Sequence, residues 1–230
     1  MEGSPSRLSI APIEGRESIE QRVAHDLRQL IVGGQLPEGT PLVGRDLAAR
    51  FGISQTPVRA GLSQLHREGF VAFSPTGRAI VSRLSREDFE EIYATRYGLE
   101  GLAARLGAFA LGTPQLDRMA EVLVDLQIAA RKEDIEAYLD GRWQFYGTCY
   151  RASGRARLVT DVERLYRRSE RYNRLVLSTP ERFQESLGRY EEFFRVCTEN
   201  DGAAAEQIVQ ESLRWAVESV SPTLRSEADE

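Results

Sequence analysis

From Ser18 onward the apolar positions fall into a helical rhythm. Ile19, Val23, Leu27, Leu30 and Ile31 recur mostly three and four residues apart. Gly33-Gly34 stops that segment, and Pro37, Gly39 and Pro41 predict a turn. A short helix fits Gly44–Phe51, with Leu47 and Ala48 inward and Gly52 in the C-terminal glycine position. A third helix is predicted from near Ser54 to about Glu68, with Val58, Leu62 and Leu65 sharing one face. After Gly69 the period changes. Phe70–Phe73 and Ala79–Val81 are short apolar runs around a Ser-Pro-Thr-Gly-Arg turn, which predicts a β-hairpin.

From Ser85 the texture is helical to the end. Ser85 and Asp88 have the spacing of a capping box, with Asp in place of the usual Glu or Gln. A long helix follows through Ile92, Leu99, Leu102, Leu106 and Phe109, and Thr113-Pro114 opens the next. Further helices fit Glu133–Ala152, Arg155–Leu177, Glu181–Glu199 and Gly202–Val220. Thr179-Pro180 and Asn200-Asp201 supply start signals for the last two. The fold class is therefore mainly α. Residues 18–84 have the layout of a winged helix-turn-helix, three helices plus a β-hairpin, and 85–222 read as an all-helical antiparallel bundle with its own core. Residues 1–17 read as a flexible arm and 223–230 as a disordered tail.

Composition narrows the class. A hydrophobic share of 41% suits a globular chain and argues against disorder. Cys149 and Cys197 form no Cys-x-x-Cys pair, so a reduced, cytoplasmic setting is expected. The N-terminus lacks the apolar core of a signal peptide, and no apolar run is long enough to span a membrane. Charge is uneven. Residues 1–84 carry 10 Arg against 8 acids, net +2, whereas the rest carries 20 basic against 27 acidic residues, net −7. A basic first part points weakly to an anionic partner there. Enzyme chemistry finds no support: there is no Ser/His/Asp set, phosphate loop or paired-carboxylate motif, and the helical half has no histidine.

The start of the third helix carries the clearest chemistry. Ser54, Gln55, Thr56 and Arg59 gather there, and Pro57 is harmless in a first turn. A helix N-terminus favours phosphate through its free N–H groups and dipole, and short hydroxyls such as Ser54 and Thr56 add backbone contacts. Gln55 and Arg59 are placed to reach base edges in the major groove. The hairpin tip, Thr76-Gly77-Arg78, would put Arg78 in or near the minor groove, with Gly77 at the turn. Set against this, short three-helix units also serve as plain structural cores.

The segment "LRQLIVGGQLPEGTPLVGRDLAARFGISQTPVRAGLSQLHREGFVAFSPTGRAIV" resembles the DNA-binding domain of the GntR transcription regulators. "REDFEEIYATRYGLEGLAARLGA" and "NDGAAAEQIVQESL" resemble the first and last helices of the FCD-type effector domain found in the FadR subgroup. The resemblance implies a homodimeric regulator, a repressor, on a short palindromic double-stranded operator. It further implies a small molecule, bound in the helical half, that alters DNA affinity. It makes Arg45 a base reader. Gln55 stands where the family usually has arginine, and Ala60-Gly61 replaces Glu-Ala. Gly61 in mid-helix costs about 1 kcal/mol relative to Ala, and is expected to be merely tolerated.

Many FCD domains hold a divalent metal through one Asp and three His, as Asp-x-x-x-His on one helix and one His from each of two later helices. Threading that pattern places Asp140, Gln144, Tyr190 and Ser212 at the ligand positions. Gln, Tyr and Ser cannot replace three imidazoles, so the expectation is a lost metal site, no cofactor, and a pocket of hydrogen-bonding groups. Arg96 joins them as an expected partner for a small organic acid effector, by bidentate pairing with its carboxylate. The alternatives are a salt bridge from Arg96 to Asp140 or Glu100, and a helical half that only dimerises. Arg142 and Arg151 are expected in solvent, and Trp143 and Trp215 in the core.

Overall fold

The computed structural model describes residues 18–74 and 76–226. The arm at 1–17 and the last four residues lie outside the described residues.

Helix α1 (Ile19–Val32) starts at Ser18, whose side chain and that of Gln21 cap each other's backbone reciprocally. Helix α2 (Gly44–Phe51) ends on Gly52 at φ 66°, a left-handed residue that closes the helix at no steric cost. Helix α3 (Gln55–Arg67) follows after a three-residue link, Gly52 to Ser54. Strands β1 (Val71–Phe73) and β2 (Ala79–Val81) pair antiparallel, with Val71 opposite Val81 and Phe73 opposite Ala79. The loop before α2 adds to the far side of β2: Leu42 N–H donates to the Ala79 carbonyl at 2.8 Å, and Val81 N–H to Thr40 at 3.0 Å. Val23, Leu27, Val58, Leu62, Leu65, Phe70 and Val81 close the core of this domain.

Gly61 is more than tolerated. A Cβ there would stand 3.0 Å from Val23 Cγ1 and 3.1 Å from the Glu20 carbonyl oxygen, so the missing side chain lets α1 and α3 approach closely.

The second domain contains α4 (Arg86–Ala108), α5 (Thr113–Lys132), α6 (Ile135–Ala152), α7 (Ala156–Arg168), α8 (Glu170–Val176), α9 (Pro180–Thr198) and α10 (Gly202–Val220). Helices α4 and α10 share the most extensive packing, α5 lies on α6 and α9, and α6 fills the middle against α4. Its core is separate from that of the first domain and is built on Phe89, Tyr138, Phe145, Tyr150, Phe193 and Val209 among others.

Four expectations need correction. The helix expected over Arg155–Leu177 is two, α7 and α8, broken at Ser169. Ser169 Oγ donates to the Tyr166 carbonyl at 2.7 Å, and local bonding of this kind competes with the helical ladder. Only half of the expected capping box forms at α4. Ser85 Oγ accepts from Asp88 N–H at 3.1 Å, while the Asp88 carboxylate is taken by Arg168 and the Tyr172 hydroxyl. Order extends past residue 222: Ser221–Thr223 form a 3-10 turn, Leu224 is buried, and Arg86 binds the carbonyls of Ser221 and Leu224. Finally, Leu102 and Phe109 are not core residues of α4. They are 43% and 63% exposed, and the inward stripe is Phe89, Ile92, Tyr93, Ala103, Ala104 and Ala108.

Candidate nucleic-acid interface and internal cavity

Helices α2 and α3 and the hairpin frame one open concavity. Arg45, Gln55, Arg59, Gly77 and Arg78 all line it, with Val43, Ser63 and Phe73. Arg45, Gln55, Arg59 and Arg78 are exposed, as are Ser54 and Thr56 at the mouth of α3. Ser54 makes no side-chain capping bond, so its hydroxyl and the first N–H groups of α3 face outward together. Arg45 is only loosely held, 3.6 Å from Asp46 with both side chains in solvent. Gly77 at φ 74° turns the hairpin tip, and Arg78 N–H donates to Ser74 Oγ at 3.1 Å, so Arg78 is presented from a closed turn. Local sequence builds this face: the start of α3 after Ser54, the glycine turn at Gly77, and buried Val58, Leu62 and Leu65 on the opposite side of α3.

The helical domain encloses a cavity of about 30 Å³ between α4, α6, α8, α9 and α10. That is room for a water molecule or two. Tyr93, Arg96, Glu100, Arg142, Tyr146, Arg189, Tyr190, Ser212 and Trp215 contribute to its wall. Arg96 is fully committed. Its Nε donates to Glu100 Oε1 at 2.5 Å and its Nη1 to Ser169 Oγ at 3.0 Å. Its guanidinium also lies 4.6 Å from the centre of the Tyr93 ring. The other Glu100 oxygen accepts from the Tyr150 hydroxyl at 2.9 Å. Burial, followed by the Glu100 charge, pushes the Tyr150 phenol well above its ordinary pKa, so it stays a donor. Arg142 is less satisfied: its Nε donates to the Tyr190 hydroxyl at 2.6 Å, and its Nη1 is sealed from solvent without an acceptor among the described residues.

Comparison with known proteins places both halves. Residues 19–81 match the model for bacterial regulatory proteins of the gntR family, and residues 91–214 match the FCD domain. The chain belongs to the GntR family, with an FCD domain as its second half. Among its relatives is the HTH-type transcriptional regulator McbR of Escherichia coli, 30% identical over 149 residues, or 65% of this chain and 67% of McbR. The gluconate operon transcriptional repressor of Bacillus subtilis is 29% identical over 76% of this chain and 70% of its own length. The solved structure of E. coli McbR/YncC aligns with a TM-score of 0.74 at 25% identity, over 86% of this chain and 94% of that one. This GntR-family chain is thus a DNA-binding transcriptional regulator and not an enzyme. No helix among the described residues is long and apolar enough to cross a membrane.

The FCD metal pattern, threaded from sequence, needs a shift of two residues. Asp140 and Gln144 lie on the outer face of α6, exposed, in a groove beside α5, where Gln144 accepts from Arg118 at 3.0 Å. The positions that face the cavity at the same four-residue spacing are Arg142 and Tyr146, and they meet Tyr190 and Ser212 from the later helices. Arg142 is therefore no solvated surface charge. Trp143 and Trp215 both pack on the core as expected, and Trp215 also lines the cavity. The signal was present in the sequence: Tyr138, Phe145 and Cys149 define the inward stripe of α6, and Asp140 and Gln144 fall off it. Arg142, Tyr146, Tyr190 and Ser212 do not fit a divalent ion, since a guanidinium repels it and one serine and two phenols are poor ligands. Among the described residues no three His, Cys, Asp or Glu converge as a metal site.

Short α8 links cavity to DNA-binding domain. Val176 lines the cavity, and Ser169, just before the helix, holds Arg96. On the other side, Arg171 donates to the Ser82 carbonyl at 2.8 Å, Arg168 packs over Gly69, and Glu170 faces the Arg28–Glu68 ion pair. Burial raises the Glu170 carboxyl to a pKa of about 7, opposed by Arg28 and Arg167 and assisted by Asp140 and Glu68. The folded pKa lies above the ordinary 4.5, so folding binds a proton and stability falls as pH rises from about 4.5 through about 7. Glu170→Gln is expected to stabilise the protein at pH 8, by up to about 3 kcal/mol, and to have little effect near pH 4.5. Urea unfolding at the two pH values measures this. Equal effects at both would show that Glu170 does not titrate with folding.

Proposed function

We propose that the chain represses transcription as a homodimer on a palindromic operator, and that a small organic acid bound in the FCD cavity changes its operator affinity. The DNA reading rests on one observation: three exposed arginines, Arg45, Arg59 and Arg78, from three separate elements converge on one concavity with Gln55. In this reading Ser54, Thr56 and the α3 N-terminus hold phosphate, Arg45, Gln55 and Arg59 read base edges, and the Gly77-Arg78 tip contacts the backbone or minor groove. The name of the Bacillus subtilis relative supports repression. Exposed Leu102 on α4 and Phe109 just past its end, and Val124 and Ile128, one turn apart on α5, support a partner copy on the helical domain. The α8 link between cavity and DNA-binding domain supports ligand control.

The test is operator selection from a random duplex library, followed by binding of Arg45→Ala and Arg59→Ala to the selected site. Each is expected to lose about 1–3 kcal/mol of discrimination between the site and single-base mismatches, with unchanged thermal unfolding. Wild-type discrimination by both variants would remove these residues as readers.

A further inference from the structure

In an FCD domain whose cavity donors cannot hold a metal, the buried positive charge comes from the chain itself. Three arginines and one glutamate line the cavity, in a protein of net charge −5. Arg96 is cancelled by Glu100 and Ser169. The remaining two are not cancelled. Arg142 meets only the neutral Tyr190 hydroxyl, and its Nη1 is sealed with no acceptor among the described residues. Burial raises the Tyr190 phenol above its ordinary range, opposed by Arg142 itself, so tyrosinate is no counter-ion here. Arg189 stacks its guanidinium 5.1 Å from the centre of the Trp215 ring, and its Nε is likewise sealed without an acceptor. Buried cations are ordinarily paired, and a sealed donor without an acceptor is a cost that a folded protein retains for a reason.

We propose that Arg142 and Arg189 form a metal-independent receptor for the carboxylate of a small organic acid, with the Tyr146 and Ser212 hydroxyls beside it. A carboxylate supplies what both sealed nitrogens lack: negative charge and several acceptor lone pairs on two oxygens. The present cavity of about 30 Å³ admits little more than that headgroup. The body of the acid therefore lies toward the half-buried rim at Arg189, Ser212 and Trp215. Arg142 takes the place of the metal as the fixed positive charge.

The proposal rests on the reading of this cavity as an effector site, and the experiment separates the two. Full-length protein is dialysed against EDTA, and thermal unfolding is followed in sodium formate or acetate against sodium chloride at equal ionic strength. A carboxylate-specific rise in melting temperature is expected with or without EDTA. It is expected to vanish in Arg142→Met and to shrink in Arg189→Met. In chloride, Arg142→Met should melt no lower than wild type, because it removes an unpaired buried charge. A residue with a merely structural role would lower it. A carboxylate rise that survives Arg142→Met, disappears with EDTA, or never occurs overturns the proposal. If formate or acetate binds through Arg142 but an organic acid panel leaves operator affinity unchanged, the receptor stands and the effector reading falls. If operator affinity responds to an acid equally in Arg142→Met, the effector reading stands and the receptor falls.

Discussion

Gly107→Ala is expected to destabilise the helical domain by about 3 kcal/mol, the upper end of the usual cost of overpacking. Gly107 lies near the end of α4, where that helix crosses α6. A Cβ at this position would stand 2.1 Å from the Cys149 carbonyl oxygen and 2.9 Å from its Sγ. The first contact is with backbone, so no rotamer change relieves it, and α4 must separate from α6. The gain in helix propensity is about 1 kcal/mol, too small to offset the lost packing. The same stretch of α4 is pinned from α10, because a Cβ on Gly202 would meet the Arg105 carbonyl oxygen at 2.5 Å. Separation at one crossing therefore disturbs both. Typical domains have only about 5–15 kcal/mol in total, so the variant should show a clearly lower urea midpoint by circular dichroism. A wild-type midpoint would mean that the two helices do not approach this closely. The functional consequence would be a cavity without a defined wall, since α4 carries Tyr93, Arg96 and Glu100.

The second large effect concerns Arg96. Arg96→Met is expected to cost about 3–5 kcal/mol, because it leaves Glu100 buried and charged with only the Tyr150 donor. Adding Glu100→Gln removes the orphaned charge and should restore most of the stability, although the bond to Ser169 is gone. Denaturant unfolding of the single and double variants decides it. If the double variant is no better than the single one, Arg96 acts through its packing on Tyr93 and Tyr166 and not through Glu100. This outcome bears on function as well. Arg96, read from sequence as an effector ligand or a salt-bridge partner, is occupied by Glu100, and the cavity cations without a counter-ion among the described residues are Arg142, four residues before Tyr146 on α6, and Arg189.

Sequence alone determined the elements whose signals are local. The caps at Ser18, Ser85 and Asp201, the left-handed glycines at Gly52 and Gly77, and the change of period after Gly69 mark helix ends and hairpin without reference to distant residues. The candidate DNA face was legible for the same reason. Arg45, Gln55, Arg59 and Arg78 sit at positions that local caps and turns expose. The cavity was not legible in this way, because its wall comes from five helices, and an error of two residues turns a helical side chain by about 200°. Asp140 and Arg142 differ by that step: one lies in solvent and the other faces Tyr190. Tertiary structure alone decided two further features, the exposure of Leu102 and Phe109 and the close crossing at Gly107. Each depends on which helix lies opposite, and hydrophobic periodicity within one helix carries no information about its neighbour.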